Sequence, residues 1–128
     1  MARLLIADDE ATVTQLLSEE LTSAGYDVVA VSDGATAVVQ AIEEDFDCII
    51  LDVKMPGMDG VSALRSIKQA KPHVPIIVIT AHIGEGYMFE SKRLGASDFI
   101  TKPFKLSLIK ETIQRALRKA AEGRGVAA

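Results

Sequence analysis

The chain has 128 residues, a formal net charge of −4, 48% apolar residues and one cysteine. This length predicts one domain, and the apolar fraction suffices for a packed core without disulfides or metal clusters. The acidic balance argues against nucleic-acid binding by this chain, which normally requires a basic patch. No apolar run approaches the ~18 residues of a membrane helix, and a lone cysteine in an apolar run is typical of a reducing compartment. We therefore expect a soluble, cytoplasmic protein.

Short apolar runs alternate with helical patterns along the chain. Strands are predicted over residues 3–7, 27–31, 48–51, 76–79 and 97–101. Apolar residues at three- and four-residue spacing between these runs predict helices. The predicted inner faces are Val13, Leu16, Leu17 and Leu21 for the first helix, Ala35, Val38, Val39 and Ile42 for the second, Val61, Leu64 and Ile67 for the third, and Ile109, Ile113, Ala116 and Leu117 for the last.

The predicted helix ends rest on capping and stop signals. Gly25 is expected to end the first helix, and Ser32 or Asp33 to cap the second. Asp59 is expected to cap the third helix, and the fourth is predicted over residues 87–94 with Gly95 as its stop. We expect one domain over residues 1–121, followed by a flexible tail over residues 122–128.

Five strands alternating with five helices predict a parallel sheet with right-handed crossovers. We expect the flavodoxin-like, doubly wound arrangement, an α/β fold with strand order 2-1-3-4-5 and helices on both faces of the sheet. Its topological switch point would then lie between the first and third strands. In such sheets, ligands bind outside the carboxyl ends of the strands.

Polar residues stand where four of the predicted strands end: Asp8 and Asp9, Asp52, Thr80 and Lys102. Parallel strands bring these positions to one edge of the sheet, so three carboxylates would crowd one crevice. Like charges disfavour joint ionisation, so either some of these carboxylates stay protonated or a cation is present. The oxygen-only ligand set favours Mg²⁺ over zinc. A nucleophilic carboxylate, a divalent ion, a lysine and a hydroxyl together suit phosphoryl transfer onto the carboxylate.

Five separated motifs resemble those of one family: Asp8-Asp9, Asp52, the run Met55-Pro56-Gly57-Met58-Asp59-Gly60, Thr80-Ala81 and Lys102-Pro103-Phe104. They are similar to the motifs of receiver domains in bacterial two-component response regulators, the family of the chemotaxis regulator. The resemblance covers about residues 3–119. It implies a response regulator receiver in a phosphorelay, which accepts a phosphoryl group from a histidine kinase or a phosphotransfer protein.

The resemblance also implies a role for each matching residue at the acidic crevice. Asp52 would be the phosphoacceptor. Asp9 and Asp52 would bind Mg²⁺ directly, Asp8 largely through water, and the backbone carbonyl of Lys54 would be a further ligand. Lys102 would pair with the phosphoryl group, and the Lys102-Pro103 bond is typically cis in this family.

Further positions are implied to carry the response to phosphorylation. Thr80 would follow the phosphoryl group, and Phe99 matches the switch aromatic of the family. The face formed by the fourth helix, the fifth strand and the fifth helix would bind a downstream effector or a second receiver. The protein would then be no enzyme in the usual sense, because it catalyses only its own phosphorylation and dephosphorylation.

Simpler interpretations stand beside these roles. Asp52 alone could merely end a strand, and Phe99 could be plain core packing. Glu10 is expected to stabilise the N-terminus of the first helix through its negative charge rather than to bind metal. The basic outer face of the last helix is expected to be mainly solvated.

Three rival functions share parts of the pattern. An aspartyl-phosphate phosphohydrolase of the haloacid-dehalogenase type needs a second acid two residues after the nucleophile, where this chain has Lys54. A flavin-binding protein needs a Ser/Thr-Gly phosphate loop after the first strand, where Asp8 and Asp9 would repel the phosphate. A scaffolding receiver without phosphorylation would not require the complete set of acidic residues and Lys102.

Overall fold

Strands and helices alternate strictly through the computed structural model, which describes residues 1–55, 60–81 and 85–123. The elements of this described part are β1 (Arg3–Ala7), α1 (Ala11–Ser23), β2 (Asp27–Val31), α2 (Gly34–Glu43), β3 (Cys48–Asp52), α3 (Gly60–Ala70), β4 (Ile76–Thr80), α4 (Glu85–Arg93), β5 (Asp98–Thr101) and α5 (Leu106–Gly123). Among these helices, none is long and apolar enough to cross a membrane.

The strands form one parallel sheet in the order β2-β1-β3-β4-β5. This order confirms the predicted flavodoxin-like topology with its switch point between β1 and β3. The strands β3 and β4 are buried along their whole length, as expected for central strands covered on both faces. Ala7 pairs with Leu51, and Asp52 pairs with Ile79. The residues that end these strands therefore lie at the same edge of the sheet.

The sheet separates two apolar clusters, because successive strand residues point to opposite faces. In β1, Leu5 belongs to the cluster that includes residues of α2 and α3, whereas Leu4 and Ile6 belong to the cluster that includes residues of α1 and α5. Helices thus cover both faces, as predicted. The lone thiol, Cys48, lies in the second cluster, and burial raises its pKa to about 12, which keeps it in the unreactive thiol form.

The predicted end signals agree with the described helix termini. Gly25 follows α1 with a φ of +100°, a conformation that glycine adopts readily. Of the two predicted caps of α2, Asp33 is the one used, because its Oδ1 accepts a 2.8 Å hydrogen bond from the N–H of Thr36. The helix α4 begins at Glu85, two residues before its predicted start, and Gly95 follows it, again at +100°. The predicted cap Asp59 lies outside the described residues.

The predicted inner face of α2 is wrong for three of its four residues. The buried residues of this helix are small: Gly34, Ala37 and Ala41. The predicted residues that are instead exposed are Ala35, Val39 and Ile42. Small side chains let α2 approach the sheet and α3 closely, so the bulkier residues that suggested the inner face are turned to solvent. Val38 packs against the core as predicted.

The inner faces of the other helices follow the prediction with one exception. Leu16 of α1 is 48% exposed, whereas Leu17 and Leu21 are fully buried. In α5, Ile109 and Ile113 are fully buried. This last helix continues to Gly123, so it includes the first two residues of the predicted tail. Residues 124–128 lie outside the described part.

The start of α3 packs directly against the end of β3. The N–H of Gly60 donates a 3.1 Å hydrogen bond to the carbonyl of Val53. A Cβ atom on Gly60 would lie only 2.1 Å from Val53 Cα, so no side chain fits at this position. The close approach anchors the chain immediately after Asp52. Pro56, Gly57, Met58 and Asp59 of the predicted motif lie outside the described residues.

Candidate functional site

The residues at the carboxyl ends of β1, β3 and β5 meet at one edge of the sheet. Asp8 follows β1, Asp52 ends β3 and Lys102 follows β5. Asp8 is fully buried and Asp52 is 2% exposed. Buried carboxylates are costly unless they are paired or bind a cation, so this edge is a polar site set into an otherwise apolar core.

Three carboxylates surround the ammonium group of Lys102. Its Nζ lies 2.8 Å from Asp8 Oδ2, 3.0 Å from Asp52 Oδ2 and 2.7 Å from Glu10 Oε1. The side chains of Lys102, Asp8 and Asp52 are at most 9% exposed, so the pairs of Lys102 with Asp8 and Asp52 are screened far less than surface ion pairs. One positive charge against three negative charges leaves an anionic site.

Burial acts in opposite ways on the two kinds of group. Burial alone would lower the pKa of the Lys102 ammonium, but its bonds with the three carboxylates outweigh this and raise the pKa. Burial raises the pKa of the Asp8 carboxyl, and the nearby Lys102 and the backbone N–H of Glu10 oppose that rise without cancelling it. Lys102 is therefore a fixed cation, whereas the charge on Asp8 costs stability.

Backbone hydrogen bonds hold the two buried carboxylates in the same way. The N–H of Glu10 donates to Asp8 Oδ1 at 2.9 Å, and the N–H of Lys54 donates to Asp52 Oδ1 at 2.9 Å. Each Oδ1 atom is thus held by the amide two residues further along the chain. Each Oδ2 atom faces Lys102, which orients both carboxylates toward the same point.

A cavity of about 360 Å³ opens beside these groups and is lined by Asp9, Glu10, Asp52, Lys54, Ala81 and Lys102. Carboxylate oxygens of Asp8, Glu10 and Asp52 all lie within 4.8 Å of one another. Asp8 Oδ2 is buried and accepts no hydrogen bond, although Lys102 Nζ is near it. An oxygen-only donor set in which three carboxylates share a single ammonium fits a hard divalent cation such as Mg²⁺.

The acidic run after β1 is arranged differently from the prediction. Glu10 pairs with Lys102 and makes no side-chain cap to α1, although it occupies the N-cap position. Asp9 is exposed and lines the cavity without belonging to the close group of carboxylates. The sequence did contain a sign of this arrangement. Alternate residues of an extended segment point to the same side, so Asp8 and Glu10 of the run Asp8-Asp9-Glu10 can face Lys102 together.

The remaining predicted residues lie on β4, the neighbour of β3, and on or just after β5, the neighbour of β4. Thr80 is fully buried and follows Ile79, the partner of Asp52 in the sheet, and its carbonyl accepts a 2.8 Å hydrogen bond from the N–H of Lys102. Phe99 of β5 is half-buried and packs against the cluster that contains α2 and α3. The Lys102-Pro103 peptide bond is cis.

Asp8→Asn is expected to stabilise the metal-free protein by about 1 kcal/mol at neutral pH. The folded pKa of Asp8 is raised, so the stability that its proton provides is present at low pH and lost as the pH rises through that pKa. The gain should therefore be small near pH 4 and grow toward pH 8, measured by urea unfolding in EDTA. Exposed Asp9→Asn is the control, with a change within about 0.5 kcal/mol. A gain that falls with rising pH would contradict this account.

A family model of the response regulator receiver domain matches residues 4–114. The chain belongs to this family. Receiver domains of the family are phosphorylated on an aspartate with Mg²⁺ and interact with histidine kinases or phosphotransfer proteins. The predicted family and general function are thereby confirmed.

Curated relatives are longer than this receiver. It is 36% identical over 118 residues to the alkaline phosphatase synthesis transcriptional regulatory protein PhoP of Bacillus subtilis, covering 92% of this chain and 49% of PhoP. It is 42% identical over 104 residues to the response regulator PleD of Caulobacter vibrioides, covering 80% of this chain and 23% of PleD. The chain thus spans half or less of the length of these relatives.

Solved structures share the fold over nearly the whole chain. A CheY-like receiver domain protein from Methanospirillum hungatei superposes with a TM-score of 0.94 at 24% identity, covering 96% of this receiver and 98% of that chain. The receiver domain of the sensor histidine kinase PA1611 from Pseudomonas aeruginosa gives a TM-score of 0.83 at 32% identity, covering 91% and 97%. That structure contains a magnesium ion coordinated in its active site cleft.

Proposed function

We propose that this receiver accepts a phosphoryl group on Asp52 from a histidine kinase or a phosphotransfer protein. The observation that carries the proposal is the setting of Asp52 at the carboxyl end of a central strand. This carboxylate lines a cavity, is held by the Lys54 N–H and lies 3.0 Å from the Lys102 ammonium. A fixed nucleophile next to a fixed cation suits attack on phosphorus.

The proposed reaction is a displacement at phosphorus. One carboxylate oxygen of Asp52 forms the new P–O bond, while the bond from phosphorus to the donor breaks and its electrons leave with the donor. Lys102 offsets the charge on the phosphoryl oxygens, and the Thr80 hydroxyl donates a hydrogen bond to one of them. Hydrolysis of the aspartyl phosphate returns the receiver to its starting state, so we assign no turnover of other phosphate compounds.

The proposed Mg²⁺ site uses the acidic groups of the same edge. Asp9 and Asp52 would bind the ion directly, Asp8 largely through water, and the Lys54 carbonyl would complete the protein ligands. In support, Asp9, Asp52 and Lys54 line one cavity, and the Oδ2 of Asp8 is buried without a hydrogen bond. When bound, Mg²⁺ supplies positive charge that offsets the carboxylates and the phosphoryl group. Glu10 keeps Lys102 in place through its 2.7 Å ion pair.

Acetyl phosphate with Mg²⁺ is expected to add one phosphoryl group to the receiver, as read by intact-mass spectrometry. Addition of EDTA should prevent the labelling, because the acidic site then repels the anionic donor. A parallel assay with p-nitrophenyl phosphate should show no sustained hydrolysis. Sustained turnover of that ester would favour the phosphohydrolase, and absence of labelling from acetyl phosphate and from a panel of histidine kinases would favour the scaffolding receiver.

The proposed readout face consists of α4, β5 and α5, and would bind a downstream effector or a second receiver. Apolar side chains of α4 and α5 are exposed there, with Met88 47% and Leu108 41% exposed. Thr80 ends β4, whose neighbour β5 carries Phe99. Movement of Thr80 toward the phosphoryl group would open space beside β4 into which Phe99 could turn, shifting a pre-existing equilibrium.

Beryllofluoride, which mimics the phosphoryl group, is expected to change amide hydrogen exchange in α4 and β5 of the readout face. The same experiment on Thr80→Ala should show smaller changes in α4 and β5 but retain those near Asp9 and Asp52. If wild-type changes remain confined to the loops around the acidic site, coupling to the readout face is absent.

A further inference from the structure

A second polar cavity lies at the opposite edge of the sheet, where β4 and β5 begin. We call it the basal cavity; its volume is about 280 Å³ and its lining residues are Lys68, Pro72, His73, Pro75, Ser97, Asp98, Arg115, Ala116, Lys119 and Ala120. The five residues of β4 span about 13 Å, so this cavity is separate from the phosphoacceptor site. Its size is near the lower limit of small-molecule sites.

The basal cavity is cationic although the chain is acidic. Lys68 from α3 and Arg115 and Lys119 from α5 contribute three positive charges, against one carboxylate from Asp98. The chain carries a formal net charge of −4, so the local excess of two positive charges is opposite in sign to the net charge of the chain. Low-dielectric walls around charges of one sign concentrate ions of the opposite sign.

Lys68 is held in the cavity without a carboxylate partner among the described residues. Its Nζ donates to the carbonyl of Val74 at 2.6 Å and of Pro72 at 3.4 Å. Neutral carbonyls orient the ammonium but do not balance its charge. Burial lowers the pKa of Lys68, which shows that the surrounding protein leaves its positive charge incompletely compensated.

The two cations of α5 also retain capacity to bind an anion. Arg115 Nη2 lies 3.2 Å from Asp98 Oδ2, an arrangement that uses one of the five N–H donors of a guanidinium. Lys119 is exposed and has no ion pair within residues 1–55, 60–81 and 85–123. Cations from α3 and α5 thus converge on one small volume with most of their donors available.

We propose that the basal cavity binds a small oxyanion with at least two negative charges, of the phosphate or polycarboxylate type. Such an anion matches the excess of two positive charges, and its oxygens accept from the Arg115 fork and from the Lys68 and Lys119 ammoniums. The cavity volume limits the ligand to a small molecule. Asp98 repels any anion, so the affinity comes from the excess of lining cations over this one carboxylate.

Titration with sodium pyrophosphate, inorganic phosphate and citrate tests this proposal at constant ionic strength without Mg²⁺. Calorimetry should detect binding of pyrophosphate or citrate, and their relative affinities distinguish the phosphate from the carboxylate class. Amide NMR shifts should centre on Ser97, Asp98 and His73. Shifts centred on Asp9, Asp52 and Lys102, or no binding of any of the three anions at about 10 mM, would overturn the proposal.

Lys119→Glu is expected to weaken binding at least ~10-fold, because it replaces an unpaired lining cation with an anion. Arg118→Glu is the matched control: it makes the same charge change on the adjacent, exposed residue of α5, which does not line the cavity. Its effect should stay below about threefold. Equal losses in both variants would show general electrostatic attraction and overturn the site. Labelling by acetyl phosphate should remain unchanged in both, which separates this test from that of Asp52.

Discussion

Asp52→Asn is expected to abolish labelling by acetyl phosphate, whereas the wild-type receiver gains one phosphoryl group. The amide has the same shape as the carboxylate but lacks the anionic nucleophile. Neither Asp8, which is fully buried, nor exposed Glu10 combines the position of Asp52 in the cavity with a hydrogen bond from the amide of Lys54. Intact-mass spectra of both proteins, taken in Mg²⁺ under identical conditions, give the answer.

Asp45→Asn is the matched control for this experiment. Asp45 is 99% exposed and pairs with Lys71 away from the acidic edge, so its substitution should leave labelling at the wild-type level. Far-UV circular dichroism should establish that Asp52→Asn is folded. Full labelling of Asp52→Asn would assign the acceptor to another residue, and peptide mapping of that product would identify it.

The sequence sufficed to predict the acidic edge because a parallel sheet aligns its strand ends. Asp52 ends an apolar run and Asp8 follows another, so their proximity depends only on strand order and direction. Lys102 follows from the same reasoning for β5. Topology converts positions that are far apart in the chain into one site, with no need for side-chain detail.

Side-chain choices within the edge were not predictable in the same way. Glu10 is the nearest carboxylate to Lys102, at 2.7 Å, although its N-cap position suggested an interaction with α1. Glu10 precedes the first turn of α1 and has an extended backbone conformation. Its ion pair with Lys102 is more favourable than the weak interaction of a carboxylate with a helix N-terminus. Which of these two partners Glu10 takes depends on the distance to Lys102 in the folded protein, and the spacing of residues in the sequence does not give that distance.

The buried face of α2 was also not predictable from the spacing of apolar residues. In α2 the residues that face the core are Gly34, Ala37 and Ala41, because the helix lies close to its neighbours. A pattern based on large apolar residues selects Val39 and Ile42 instead, and both are exposed. The basal cavity is a similar case, since it forms only where α3, the segment before β4 and α5 meet.

Lys102→Met is expected to lower the free energy of unfolding by about 3–5 kcal/mol in EDTA at pH 7. Removal of the ammonium leaves the buried carboxylates Asp8 and Asp52 without their shared cation. Lys110→Met is the control, because Lys110 pairs with Glu20 at 3.6 Å on the surface, and such a pair contributes less than about 1 kcal/mol. Urea unfolding of the three proteins measures both effects.

Mg²⁺ should restore much of the stability that Lys102→Met loses, since a cation that binds only the folded state stabilises it by mass action. The ammonium and the ion both neutralise the acidic edge, so loss of Lys102 should leave Mg²⁺ binding intact. Lys102→Arg keeps the charge and should stay closer to the wild type in EDTA, which separates the loss of charge from the loss of packing. Equal destabilisation in Lys102→Met and Lys110→Met would show that Lys102 does not neutralise this site. A well-folded Lys102→Met that no longer binds Mg²⁺ would contradict the expectation that the ion replaces the ammonium.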